Sequence, residues 1–161
     1  MRVEEIKVMQ YEELSDSAKE SAKEWYRSVD TSYNWWDDAF ASIKAFADVF
    51  NVKIKNYEIG AYSPSWMDTD AEGENFRGWN KKAILSMKED RTGYYLDGVI
   101  KDAFVSAFKD TGDAKLAFGY AITKAVKHIQ DDMEYQYSDE AVEEMIVINE
   151  YEFTEDGKRY H

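Results

Sequence analysis

Helical spacing dominates the chain. Trp36, Ala39, Phe40, Ile43, Phe46, Ala47 and Phe50 recur at steps of three and four, with Asp37, Asp38, Lys44 and Asp48 between them. That is the pattern of an amphipathic helix with one buried stripe, and Asn51 is placed to end it. Leu96, Val99, Ile100, Ala103, Phe104, Ala107 and Phe108 form a second stripe. Ala114, Ala117, Phe118, Ala121, Ile122, Ala125 and Ile129 form a third, separated from the second by Asp110-Thr111-Gly112-Asp113. Ala18, Ala22, Trp25 and Val29 form an earlier stripe, whose small alanines would let the helix sit close to a neighbour. Ser15 or Ser17 can cap it, and Ser17 with Glu20 has capping-box spacing. Ser138 opens a short helix anchored through Val142, Met145 and Ile146.

Alternation is confined to short runs. Val3 to Met9 reads as a strand. So does Val52 to Tyr62, whose phase changes near Asn56 and predicts a bulge. Gly60 to Gly78 is a long loop or loose hairpin with Asn75 to Trp79 as the returning strand, and Lys82 to Met87 fits strand or helix. Tyr151 and Phe153 alternate into Asp156-Gly157, a hairpin turn signal. Helices plus a few antiparallel strands, without regular βαβ alternation, predict an α+β fold. With one proline, Pro64, eight glycines and no linker-like stretch in 161 residues, the expectation is a single domain over 1–161, with four to five helices on a small antiparallel sheet. Tyr11 to Glu20 echoes Tyr135 to Glu144, each containing Ser-Asp-x-Ala. One short match is no repeat period, so both are read as helix N-caps followed by acids that suit the helix dipole.

Charge changes the picture at the C-terminal end. The net charge is −13, and from Asp131 to His161 eleven acids stand against Lys158 and Arg159, a net −9. Tyr135, Tyr137, Val142, Met145, Ile146, Ile148, Tyr151 and Phe153 are threaded through the same segment, so it can pack and hold its charge as a fixed surface. Asp139, Glu140, Glu143 and Glu144 on the short helix, with Glu150 and Glu152 beside the last strand, are the expected partner-binding acids. A surface of this sign repels nucleic acid and attracts basic protein. The one basic cluster, Arg77, Lys81, Lys82, Lys88 and Arg91 around Trp79, is flanked by Glu72, Glu74, Glu89 and Asp90 and reads as balanced surface. Trp35, about 100° round the helix from the buried Trp36, and Trp66, after Ser63-Pro64-Ser65, are candidate aromatic anchors.

The residues for covalent catalysis are sparse. The chain has no cysteine and two histidines, His128 within a helical stretch and His161 at the end. No phosphate-binding glycine loop or nucleophile elbow is present, so no enzymatic activity and no cofactor are expected. Asp68, Asp70 and Glu72, followed by Gly73, match the opening of an EF-hand loop, but Trp79 stands where the bidentate glutamate belongs. They are a weak candidate for a Ca²⁺ site and read first as a solvated loop. No apolar run approaches the length of a membrane span and no signal-peptide core is visible. A soluble cytoplasmic protein is expected.

Tyr11-Glu12-Glu13-Leu14-Ser15-Asp16-Ser17-Ala18-Lys19-Glu20, then Glu24-Trp25-Tyr26-Arg27 and Trp35-Trp36-Asp37, resemble a group of small phage and prophage proteins labelled as the antitoxin of a toxin–antitoxin stability system. Asn149-Glu150-Tyr151-Glu152-Phe153-Thr154-Glu155-Asp156-Gly157-Lys158-Arg159 is similar to their C-termini. The resemblance covers the two ends of the chain and brings no catalytic residues. It implies a mobile-element context, in which small acidic proteins bind and block host factors, CRISPR effectors among them. The combined expectation is a non-enzymatic acidic protein that binds a basic surface, that of a nucleic-acid-binding host protein, without contacting nucleic acid or membrane itself. An antitoxin that neutralises a toxin is the alternative binder, and a Ca²⁺-binding carboxylate protein is the alternative from another class.

Overall fold

The computed structural model describes residues 2–29, 36–88 and 91–160. Among these residues the elements run β1 (Val8–Gln10), α1 (Asp16–Val29), α2 (Trp36–Val49), β2 (Ile54–Glu58), β3 (Trp66–Thr69), α3 (Lys81–Leu85), α4 (Leu96–Thr111), α5 (Ala114–Gln136), α6 (Asp139–Ile148) and β4 (Glu152–Thr154). The fold is α+β, as the periodicities predict. The strands make two separate antiparallel ladders, β1 with β4 and β2 with β3, where the sequence predicted one small sheet. Backbone contacts divide the chain into a terminal unit, residues 2–29 with 134–160, and a middle unit, residues 36–88 with 91–133. None of the described helices is long and apolar enough to cross a membrane.

The middle unit is built on phenylalanine. Phe46 stacks on Phe118 at 5.4 Å, and Phe50 meets both rings edge-on while also contacting Phe76 and Phe104. Ala117, Ala121 and Ala125 of α5 are fully buried at steps of four, so they mark the face of the helix turned to the core, at no side-chain entropy cost. α2 ends as Asn51 predicts. Asn51 takes a left-handed φ of 56°, its N–H bonds to the Asp48 carbonyl, and the Val52 N–H reaches the Ala47 carbonyl, which satisfies two orphan carbonyls. The bulge in β2 lies between Ile54 and Asn56.

The returning strand is not Asn75 to Trp79. It is Trp66–Thr69, which pairs Glu58 with Trp66 and Ile54 with Thr69. Residues Gly73–Phe76 form a 3-10 turn instead, because the Asn75 side chain accepts from the Glu72 N–H and donates to the Phe50 carbonyl. The ambiguous segment after it is α3, capped by Asn80, whose side chain accepts from the Ala83 N–H.

Asp97 anchors the entry to α4. Its carboxylate, 5% exposed, accepts from the N–H groups of Arg91, Thr92 and Gly93 and from the Thr92 hydroxyl. Burial works to raise the Asp97 pKa, but the bonds from Thr92 and Arg91 favour the ionised form, and the net result is a fall to about 2. A depressed carboxylate contributes stability that is complete above the unfolded value and disappears as pH falls through the folded one. Asp97 should therefore contribute about 2 kcal/mol at neutral pH that is lost between about pH 5 and 2. Urea unfolding of wild type and Asp97→Asn at pH 7 and across that window checks this. The variant should be less stable at pH 7 and decline less steeply towards pH 2.

The terminal unit packs α1 against α6. Tyr11, Leu14, Ala18, Ala22, Val142, Ile146 and Phe153 form its core. Ser15, not Ser17, caps α1, since the Ala18 N–H donates to Ser15 Oγ at 3.2 Å. Glu20 turns to Lys23 instead of closing a capping box. In the echoed segment Ser138 caps α6 in the same way, accepting from the Ala141 N–H. The strand expected over Val3 to Met9 shrinks to Val8–Gln10, because β4 offers only Glu152–Thr154 as partner. Val3 and Ile6 are left exposed. Met145 does not anchor α6 and is 38% exposed. It sits at the edge of the stripe, and Ala141 joins Val142 and Ile146 in the buried set.

The turn after β4 closes as Asp156-Gly157 predicts. The Thr154 N–H donates to the Lys158 carbonyl and the Gly157 N–H to the Thr154 carbonyl. Arg159 then lies over Tyr151 and Trp25.

Candidate functional site

The acidic segment folds into α6 with two different faces. Ala141, Val142 and Ile146 point to the core, whereas Glu140, Glu144, Val147 and Ile148 follow at steps of four, three and one and share the outer face. The 3-10 turn Tyr11–Glu13 packs beside them. Tyr11, Glu12, Glu140, Glu143, Glu144, Val147 and Ile148 together line an open groove of about 640 Å³. The groove presents aliphatic carbon, with Ile148 63% and Val147 40% exposed. Its rim is acidic.

The six predicted acids take three different roles. Asp139 and Glu143 are committed to the fold. Lys23 is buried at 4% exposure, and its ammonium lies 2.7 Å from Glu20, 3.4 Å from Asp139 and 3.7 Å from Glu143. The bond to Glu20 raises the Lys23 pKa against the opposing effect of its own desolvation. Arg27 pairs with Asp139 at 2.5 Å and also donates to the Tyr137 carbonyl. The bonds from Arg27 and Lys23 hold the Asp139 carboxyl below the usual range. Glu143 accepts the Tyr11 hydroxyl at 2.6 Å, and desolvation together with that bond pushes the Tyr11 phenol well above its ordinary value.

Glu140 and Glu144 are exposed, have no ion pair among the described residues and face the groove. Glu150 and Glu152 do not form a shared strand face. β4 begins only at Glu152. Glu150 sits two residues past the end of α6 with a left-handed φ of 54°, where its N–H bonds to the Val147 carbonyl and the Tyr151 N–H to the Ile146 carbonyl. Both side chains are exposed and lie outside the groove. Sequence reasoning missed Glu12, Val147 and Ile148. The steps of three and four from Glu140 through Glu144 to Val147 and Ile148 were the available signal for the last two.

The middle unit holds the other candidates. Trp66 opens β3 and is 40% exposed. It is a strand residue and not the tip of a loop. Trp35 lies outside the described residues. Asp68, Asp70 and Glu72 do not converge: Asp70 accepts the Lys53 N–H, Glu72 pairs with Lys115 at 3.7 Å, and Asp68 lies exposed on β3. Among the described residues no group of three acids or histidines is arranged to hold a metal ion. Arg77, Lys81, Lys82, Lys88 and Arg91 are all exposed, but Trp79 at their centre packs on Phe50 at 4.8 Å. It offers no stacking platform among them. His128 is partly exposed, lies 3.9 Å from Asp132 and sits against Tyr95. With Asp38, Tyr94 and Leu96 it borders a small cavity of about 210 Å³.

No protein-family profile, curated protein or solved structure matches the chain.

Proposed function

We propose that the protein is a non-enzymatic binding protein that captures a basic, partly apolar protein segment in the groove between α6 and the Tyr11–Glu13 turn. The supporting observation is exposed aliphatic carbon at Val147 and Ile148 beside the carboxylates of Glu12, Glu140 and Glu144, which have no ion pair among the described residues. Solubility alone calls for acids, not for Ile148 left uncovered beside them. Lysine and arginine suit such a groove because their aliphatic stems can lie on the exposed aliphatic carbon while their charged heads reach the rim. The tied pair Asp139 and Glu143 holds α6 in register, so the rim charges are fixed and steer the partner during encounter.

The natural partner is a protein whose basic surface serves nucleic acid. Occupying that surface would block phosphate binding and so inhibit the partner. The test is capture from host lysate with two baits, wild type and the triple variant Glu12→Lys, Glu140→Lys, Glu144→Lys, at low and moderate salt. Basic proteins should be retained by wild type at low salt and lost by the variant, and their identity separates a nucleic-acid-binding factor from a toxin. Identical retention by both baits would remove the groove from the proposal.

A further inference from the structure

The middle unit contains a second cavity whose walls differ in kind from those of the acidic groove. It measures about 370 Å³, within the range of about 300–1,000 Å³ typical of small-ligand sites. α2 contributes Trp36, Asp37 and Phe40, β2 contributes Tyr57, and α5 contributes Ile129 and Met133, one helical turn apart. Phe40 and Tyr57 meet at 4.7 Å with their planes tilted by 53°, so the two rings form a corner. Tyr57 is 51% exposed, so its ring is open to a ligand from solvent. Asp37 is exposed and has no ion pair among the described residues. No basic side chain is among the described residues that line the cavity.

We propose that this cavity binds an N-methylated alkylammonium group. Three aromatic side chains, Trp36, Phe40 and Tyr57, line it, and the π-face of such a ring attracts a cation within about 6 Å of its centroid. Asp37 adds one full negative charge at the mouth. A purely apolar ligand would make no use of that carboxylate, and burying it beside such a ligand would be unfavourable. A primary ammonium fits less well, because its three N–H groups need acceptors and the walls offer few. Methyl groups remove that demand and spread the charge over surfaces that pack on the rings, while Ile129 and Met133 receive the alkyl part. The start of α2 carries the positive end of a helix dipole, which disfavours a cation, but Asp37 and Asp38 in the first turn offset it. The proposal concerns a different unit and a different ligand from the acidic groove, and it does not depend on that groove having a partner.

The experiment is an NMR titration of the isotope-labelled protein with choline, with ethanolamine and with 3,3-dimethylbutanol, the neutral isostere of choline. Choline should shift the resonances of Phe40, Tyr57 and Met133 and saturate in the millimolar range, with the other two compounds at least about fivefold weaker, since a cation–π site contributes a factor of about 2–30. Asp37→Asn and Tyr57→Leu, both at exposed positions, should each weaken choline about fivefold and leave the rest of the spectrum unchanged. A peptide carrying trimethyl-lysine is titrated alongside. Tighter binding than choline would assign the group to a modified protein, and equal binding to a free small molecule. Dimethylbutanol binding as tightly as choline would reduce the cavity to an apolar pocket, and no shift from choline at tens of millimolar would remove the site. Either result overturns the proposal.

Discussion

A Gly157→Ala variant should lose at least about 3 kcal/mol of stability. Two costs combine. Gly157 has a φ of 85°, a conformation that disfavours a side chain by roughly 1–2 kcal/mol. A methyl group there would also stand 2.2 Å from the Ala18 carbonyl oxygen and 2.9 Å from its carbon. Those atoms belong to the first turn of α1 and cannot rotate away as a flexible side chain could. To make room, the turn after β4 would have to lift from α1, and it would take with it the Arg159 stack over Trp25 and Tyr151. Gly112→Ala is the control. Its φ of 66° is also left-handed, but no atom lies within 4 Å of the added methyl, so it should cost only the roughly 1–2 kcal/mol of the backbone conformation. Urea unfolding followed by tryptophan fluorescence separates the two. Equal losses would show that the turn does not press on α1 as described.

The second large effect distinguishes acids that look alike in sequence. Glu143→Lys should destabilise the protein by about 2–3 kcal/mol, whereas Glu140→Lys and Glu144→Lys should each stay within about 0.5 kcal/mol of wild type. At position 143 the reversal removes the acceptor of the Tyr11 hydroxyl. It also brings a second cation towards Lys23, which is already buried. Positions 140 and 144 have no such partner. Thermal unfolding of the three single variants at neutral pH checks this, and a Glu143→Lys variant as stable as the other two would mean that the Lys23 network does not hold α6 in place. For the same reason a charge-reversal test of binding must leave residue 143 alone, or a loss of folding would pass for a loss of contact.

How much of this was legible in the sequence depends on the range of the interaction involved. The five longer helices followed from local periodicity, and so did the Ser138 cap, the Asn51 terminus, the bulge near Asn56 and the Asp156-Gly157 turn, because each is decided within a few residues; α3, a sixth helix beyond the four to five expected, is too short for its period to separate helix from strand. Pairing was not legible. Asn75 and Gly78 disfavour a strand locally, but what selects Trp66-Met67-Asp68-Thr69 is its contact with β2. The acidic segment was visible as a surface. Its division into Asp139 and Glu143 inside the fold and Glu140 and Glu144 outside it was not, because that depends on Lys23, more than a hundred residues away in the chain. Composition drew attention to charge, and so the uncovered Val147 and Ile148 and the contribution of Glu12 from the other end of the chain were missed.

In the proposed function the groove, and not the overall charge, recognises the partner. The most direct measurement compares the affinity of a captured basic protein for wild type and for two triple variants, Glu12→Lys, Glu140→Lys, Glu144→Lys in the groove and Glu74→Lys, Asp102→Lys, Asp110→Lys at exposed sites of the middle unit. Each changes the net charge by six, from −13 to −7. The groove variant should bind at least about tenfold more weakly at low salt, with the difference shrinking as salt screens the charges. The matched control should stay within about threefold of wild type. Equal losses in the two variants would contradict the claim and leave net charge as the whole of the attraction.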